Sequence, residues 1–198
     1  MISIYNIKPK FQELLKPVLV LLHKLGITAN QITISSILLS LIIGIGFWFA
    51  DKNFAFFLIL PFGLLLRMAL NALDGMMART YNQQSKKGEV LNEIGDIISD
   101  LFVFFPLLKF EQEIFYLIVI FICLSIINEF AGVLGKVVSN ERRYEGPMGK
   151  SDRALILGVY GILSYLSINF NKYSIYIFSV IILLLILSTM IRIKKSLK

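Results

Sequence analysis

Long apolar runs alternate with short polar breaks along nearly the whole chain. Mostly apolar windows cover about residues 31–50, 54–79, 88–109, 114–138, 153–170 and 173–193. As a helix, each is long enough to cross a hydrocarbon core of about 30 Å. Ahead of them, residues 9–25 place Phe11, Leu14, Leu15, Val18 and Leu22 at helical spacing, with Lys10, Glu13, Lys16 and Lys24 elsewhere on the wheel. This segment reads as an amphipathic helix lying in the membrane interface, with Pro17 kinking or dividing it. The pattern predicts an all-α integral membrane protein of six transmembrane helices plus this N-terminal interfacial helix. Residues 1–198 then form a single membrane domain, with no room for a separate soluble one.

The polar breaks give the expected turns. Thr28, Asn30 and Thr33 stand at the mouth of the first span as candidate caps, Asp51–Asn53 make a tight turn, and Ser151 or Asp152 caps the fifth span. The second window is longer than a bilayer needs, so its end, Asp74 to Arg79, should project towards the headgroup layer.

Composition agrees with a bilayer: the chain is 57% hydrophobic, with a mean hydropathy of +0.76. A net charge of +7 would suit nucleic acid, but the placement of the charges excludes that partner. Sixteen Lys and Arg fall on one side of the six spans and three (Lys52, Lys109, Lys172) on the other, with Arg67 inside a span. That asymmetry puts both termini in the cytoplasm, in an inner (cytoplasmic) membrane, with the polybasic tail suited to anionic lipid. The first residues lack a short apolar run followed by a cleavage site, so no removable signal peptide is expected. Cys123, the single cysteine, has no partner for an internal disulfide and reads as a small core residue, and His23 as an ordinary surface histidine.

Chemistry concentrates between Asn71 and Asp100. Asn71, Asp74 and Ala78 share one helix face; Gly88, Asn92, Asp96 and Asp100 share another. Two helices thus bring carboxylates into apolar surroundings, where an unpaired charge is costly, so a cation should sit between them. Asp and Asn oxygens are hard ligands of the kind Mg²⁺ or Mn²⁺ takes, and no His or Cys cluster offers a zinc site. Gly75 and Ala78 remove bulk beside the acids, and Arg79 could grip a phosphate in bidentate fashion, as a pyrophosphate-linked substrate requires.

The sequence Asn71-x-x-Asp74-Gly75-x-x-Ala78-Arg79, eight residues, Gly88-x-x-x-Asn92-x-x-x-Asp96 resembles the signature of the CDP-alcohol phosphatidyltransferases. That signature reads Asp-x-x-Asp-Gly-x-x-Ala-Arg, eight or nine residues, Gly-x-x-x-Asp-x-x-x-Asp. The resemblance extends to the six spans, the interfacial helix and the segment from Gly146 to Arg153. It implies Asp74 and Asp96 as metal ligands, with Asp96 also the catalytic base. It implies Gly75, Ala78 and Arg79 against the cytidine diphosphate, Gly88 as a close-packing glycine, and a homodimer. The implied reaction moves a phosphatidyl group from CDP-diacylglycerol onto a small polar alcohol and releases CMP; the alternatives are transfer of the headgroup of another CDP-alcohol onto a lipid alcohol such as diacylglycerol or ceramide, and a catalytically impaired CDP-lipid-binding relative.

The signature's first and third aspartates are Asn71 and Asn92 here. An amide oxygen can still coordinate Mg²⁺ or Mn²⁺, but two formal charges are gone and the site should hold metal less firmly. By depth in the membrane, Arg67 lies level with Asp100 and should pair with it, and Glu129 lies level with Asn71 and Asp96. Three roles are open to Glu129: metal ligand replacing a lost acid, contact for the acceptor, or member of the Arg67–Asp100 network. Among the basic residues at the mouth, Arg153 is the preferred phosphate ligand for substrate, with Lys150 the weaker candidate.

Overall fold

The computed structural model describes residues 8–198. The chain forms α1 (Lys8–Lys24), α2 (Ala29–Trp48), α3 (Ile59–Thr80), α4 (Lys86–Phe104), α5 (Leu107–Phe110), α6 (Phe115–Ser139), α7 (Lys150–Tyr165) and α8 (Asn171–Ser196). Single-turn 3₁₀ segments, Phe54–Leu58 and Gln112–Ile114, lead into α3 and α6. The all-α expectation holds.

Local chemistry sets several helix starts. Thr28 caps α2 in a capping box with Gln31, each side chain taking the other's backbone N–H. Ser85 Oγ accepts from the Gly88 N–H at 3.0 Å and begins α4. At α7 the cap residue is Gly149, not the expected Ser151 or Asp152; of those two, Asp152 contributes from inside the helix, its carboxylate accepting from the Gly149 N–H at 3.0 Å. α6 ends at Asn140, which turns the chain at φ 59°, a left-handed conformation that asparagine tolerates.

Among the described residues, four segments are long and apolar enough to cross a membrane: Ala29–Trp48, Phe54–Thr80, Gln112–Ser139 and Asn171–Ser196. The other two expected spans fall short by that measure. α4 carries Glu89, Glu93, Asp96 and Asp100 in its 19 residues, and α7 is only 16 residues, roughly 24 Å of helix. The expected third span also stops early, at Phe104, before Pro106 restarts the chain as α5.

α2 packs against α3 and α4, α6 against α8, and α7 against α3 and the Phe54–Leu58 turn. Ile43, Phe47, Leu60, Ile118 and Leu185 are fully buried where these helices meet. Outward-facing Val180, Leu183, Leu187 and Met190 on α8 are about half or more exposed, as a surface solvated by lipid tails allows. Cys123 also faces outward and is exposed, which corrects the core reading: an all-apolar span carries no sequence mark to tell its lipid face from its protein face.

α1 runs unbroken through Pro17. It buries Leu15 and Leu19 against Ile32, Leu73 and Met77, and it leaves Leu14 (74% exposed) and Leu21 (57%) on the opposite side. Two apolar stripes suit a helix wedged between protein and lipid. His23 stacks on Tyr81 with ring centroids 3.5 Å apart, tying the end of α1 to the end of α3.

Candidate active site

The two helices of the motif are aimed by α2. Thr33 Oγ1 donates to Asp74 Oδ2 at 3.0 Å, and Ser36 Oγ donates to Asn71 Oδ1 at 2.6 Å. Thr33, Ser36 and Ser40 are all buried, forming a hydroxyl stripe at helical spacing on a span that is otherwise apolar. Thr33 was expected only as a cap, and Ser36 was not singled out; the stripe itself was the available signal.

Across the gap from α3, Asp96 is half-buried on α4 and its Oδ1 accepts from the Lys150 ammonium. Asp74 and Asp96 are near enough for their charges to repel, and Lys150 attracts both. The Lys150 ammonium that pairs with Asp96 thus also lies within electrostatic reach of Asp74. Asn92 is half-buried one turn from Asp96. Among the described residues no group of three His, Cys, Asp or Glu side chains converges, so a metal here would rest on Asp74 and Asp96 and complete its shell with amide or substrate oxygens.

The glycines separate by role. A Cβ on Gly88 would lie 2.7 Å from Asn30 Oδ1 and 3.1 Å from Ser85 Oγ, so this position lets α4 begin against α2. Beside Gly75, a Cβ would meet only the end of the Arg79 side chain, at 3.2 Å. Arg79 is exposed and has no ion-pair partner among the described residues, and Ala78 is half-buried next to it. A movable guanidinium and two small residues thus follow Asp74 on α3.

Deeper in the bundle lies a second ionic cluster. Arg67 pairs with Asp100 at 2.7 Å, and the other Asp100 oxygen takes Arg153 at 2.8 Å. Arg153 also holds Glu129 at 2.9 Å; Glu129 takes Arg142 at 3.1 Å, and Arg142 reaches Glu93 at 2.7 Å. Arg192 adds a longer contact to Glu129 at 3.8 Å and donates to the Asn128 carbonyl at 2.6 Å. Every acid in this group faces at least one arginine, the condition under which buried charge is tolerated.

This cluster redistributes three expectations. Arg67 and Asp100 pair as depth predicted. Of the roles open to Glu129, its surroundings fit membership of the ionic network, because both of its oxygens are turned to arginine. Arg153, expected as a phosphate ligand, is 2% exposed: its Nη1 and Nη2 donate to the Met148 carbonyl, Asp100 and Glu129, and its buried Nε–H has no partner among the described residues, so burial places it away from the open mouth. Lys150 keeps its place at the site. Arg142 was missed as a network member, since the reach of a loop arginine cannot be read from spacing.

Residues 26–194 match the family model for CDP-alcohol phosphatidyltransferase. The chain belongs to this family. It is 45% identical over 160 residues to the inner membrane protein YnbA of Escherichia coli (strain K12), covering 81% of this chain and 79% of that one. It is 33% identical over 102 residues to an archaetidylinositol phosphate synthase of Pyrococcus horikoshii, covering 50% of each chain. In fold it resembles the phosphatidylinositol phosphate synthase PgsA1 of Mycobacterium tuberculosis, with a TM-score of 0.72 at 21% identity over 91% of this chain. That enzyme has been solved with manganese and citrate, where the match covers 87% of its chain, and with CDP-DAG bound, where it covers 92%.

Proposed function

We propose that the chain is a phospholipid-synthesis transferase that moves a phosphatidyl group from CDP-diacylglycerol to a small polar alcohol and releases CMP. The observation that supports this reading is the electrostatic closeness of Asp74 and Asp96, with Gly75 next to Asp74 and Arg79, which has no ion-pair partner among the described residues, one turn further on. In the reaction the alcohol oxygen bonds to the phosphatidyl phosphorus, the phosphorus–oxygen bond to CMP breaks, and the Asp96 carboxylate takes the alcohol proton. Arg79 grips the diphosphate, Gly75 and Ala78 let the nucleotide approach the α3 backbone, and Lys150 can pass from Asp96 to a phosphate oxygen.

The donor set fits a hard divalent ion. Asp74 and Asp96 would hold Mg²⁺ or Mn²⁺, with Asn71 and Asn92 as weaker amide ligands and substrate oxygens completing the shell. Such an ion, when bound, would supply positive charge against the substrate diphosphate and the phosphate of the departing CMP. Thr33 and Ser36 keep Asp74 and Asn71 in place for that task.

In this reading the protein is one membrane domain of six spans, α4 and α7 included. Their polar faces turn inward: Asp100 and Arg153 are 5% and 2% exposed. Both termini and the motif lie at the cytoplasmic face, and a homodimer follows from the family. The alternative within the class is transfer of a CDP-linked headgroup to a lipid alcohol such as diacylglycerol or ceramide.

Purified protein with Mg²⁺ or Mn²⁺ should yield CMP from CDP-diacylglycerol and a panel of small polar alcohols. CMP arising only from a CDP-headgroup with diacylglycerol or ceramide selects the alternative, and none from any pair overturns both. Asn71 and Asn92 motivate a second reading, a catalytically impaired CDP-lipid-binding relative. It requires that Asn71→Asp with Asn92→Asp create metal-dependent turnover that the parent chain lacks.

A further inference from the structure

At the end of the bundle opposite the motif, one buried acid stands without an opposing charge among the described residues. Glu111, between α5 and the Gln112–Ile114 turn, is 5% exposed, yet no ion pair reaches it among the described residues. The adjacent Lys109 ammonium is taken by Asp51 at 2.6 Å and the Trp48 carbonyl at 2.7 Å. Burial holds the Glu111 carboxyl above its usual range, which the nearby Ser174 and Tyr160 hydroxyls offset only in part. Exposed Glu113 stands beside it and adds a second acid.

Glu111, Glu113, Asn171 and Ser174 line a polar cavity of about 250 Å³. Ser174 is 2% exposed, and its hydroxyl, although close to the Glu111 carboxyl, makes no hydrogen bond of ordinary geometry among the described residues. A buried hydroxyl without a partner costs free energy, so its position at the cavity wall points to a ligand. The same Ser174 lines a second cavity of about 100 Å³, whose walls include Tyr160, Leu163, Phe170, Ile177 and Phe178. This apolar cavity follows the seam between α7, which packs on α3, and the α6–α8 pair. Its wall residues Val159 and Ile177 are 46% and 42% exposed on the outer surface, so the seam adjoins the lipid phase.

A polar, acidic chamber at the membrane surface that meets an apolar slot along the bundle at one serine has the shape and polarity of a phospholipid. We propose that this end binds a membrane lipid with an ammonium-bearing headgroup, its ammonium against Glu111 and Glu113 and an acyl chain in the α7–α8 seam. Charge complementarity selects the headgroup: an ammonium supplies Glu111 with a counter-ion, whereas an anionic glycerol headgroup brings a phosphate without one towards two acids, and Lys109, the cation that also lines the cavity, is already taken by Asp51. This site is separate from the motif and does not depend on transferase activity.

The test uses the delipidated full chain in detergent, with retained lipid counted by native mass spectrometry. Wild type should retain dioleoyl phosphatidylethanolamine over dioleoyl phosphatidylglycerol by roughly tenfold, equivalent to about 1.4 kcal/mol. Glu111→Gln should abolish the preference, Leu163→Trp should reduce retention by filling the apolar cavity, and millimolar free ethanolamine should not displace the lipid. Where Glu111→Gln expresses poorly, Ser174→Ala carries the same expectation. Equal retention of the two lipids by wild type, or a preference unchanged in the variants, overturns the proposal. So does displacement by free ethanolamine, which would make the chamber a site for soluble amines. A dimer that Leu163→Trp converts to monomer overturns it too, since a second copy would then fill the seam.

Discussion

Asp96 and Asp100 stand one turn apart on α4, yet their surroundings assign them opposite work. Asp100 is held between Arg67 and Arg153, two guanidinium groups that are themselves buried and cannot leave without stranding a charge. Asp96, half-buried nearer the membrane surface, has a lysine ammonium on a flexible stem and the charge of Asp74 across the gap. Arginine in a rigid fork builds a permanent bridge; lysine makes an exchangeable one. The difference teaches that a membrane protein can place structural and chemical acids on one helix face and separate them only by what opposes them.

Exchanging each acid for its amide breaks that comparison most sharply. Asp96→Asn should lower CMP release by about a hundredfold or more, as loss of a general base does. Its thermal melting in detergent should change little, because Lys150 can return to solvent. Asp100→Asn should do the reverse: it leaves two buried guanidinium groups under-compensated and costs about 3–5 kcal/mol of stability. Any protein that survives should still release CMP. If Asp96→Asn destabilises as much as Asp100→Asn, the two acids belong to one structural network and the division fails.

Glu129→Gln is the next largest effect. It removes one negative charge from contact with Arg142, Arg153 and Arg192 while keeping an oxygen that can accept from them. A loss of roughly 1–3 kcal/mol is expected, read as a lower melting temperature. The concentration of Mg²⁺ or Mn²⁺ needed for half-maximal CMP release should stay the same. A shift in that requirement would return Glu129 to the metal site.

Spacing revealed the motif because helix geometry alone fixes which of Asn71, Asp74, Gly88, Asn92 and Asp96 share a face. Depth revealed the Arg67–Asp100 pair for a similar reason: antiparallel neighbours at known lengths meet at calculable levels. Arg142 and Arg153 resisted both arguments, since long flexible side chains from a loop and from a helix start can serve any acid within several ångströms. Burial separated the phosphate candidates, leaving Lys150 half-buried at Asp96 and Arg153 inside. Cys123 failed for another reason. When lipid and protein interior are equally apolar, hydrophobicity cannot say which way a residue on α6 points, and only the hydroxyl stripe of α2 escaped that ambiguity.

The far end of the bundle sharpens the comparison, because Glu111 is a buried acid that no arginine or lysine pairs with among the described residues. Its folded-state pKa lies above the ordinary value of 4.5, with burial the main cause. The folded chain therefore holds a proton that the unfolded chain releases, and stability from this group is present below about pH 4.5 and falls as pH rises from there through the raised value. The delipidated wild type should lose melting temperature by a few degrees at most across that window, and Glu111→Gln should remove that part of the slope. An ammonium lipid in the chamber favours the ionised carboxylate, so added phosphatidylethanolamine should flatten the wild-type slope and leave the Glu111→Gln curve unmoved. Equal slopes in wild type and Glu111→Gln would mean that the Glu111 carboxyl is satisfied in both charge states, and its contrast with the arginine-matched acids at the other end would vanish.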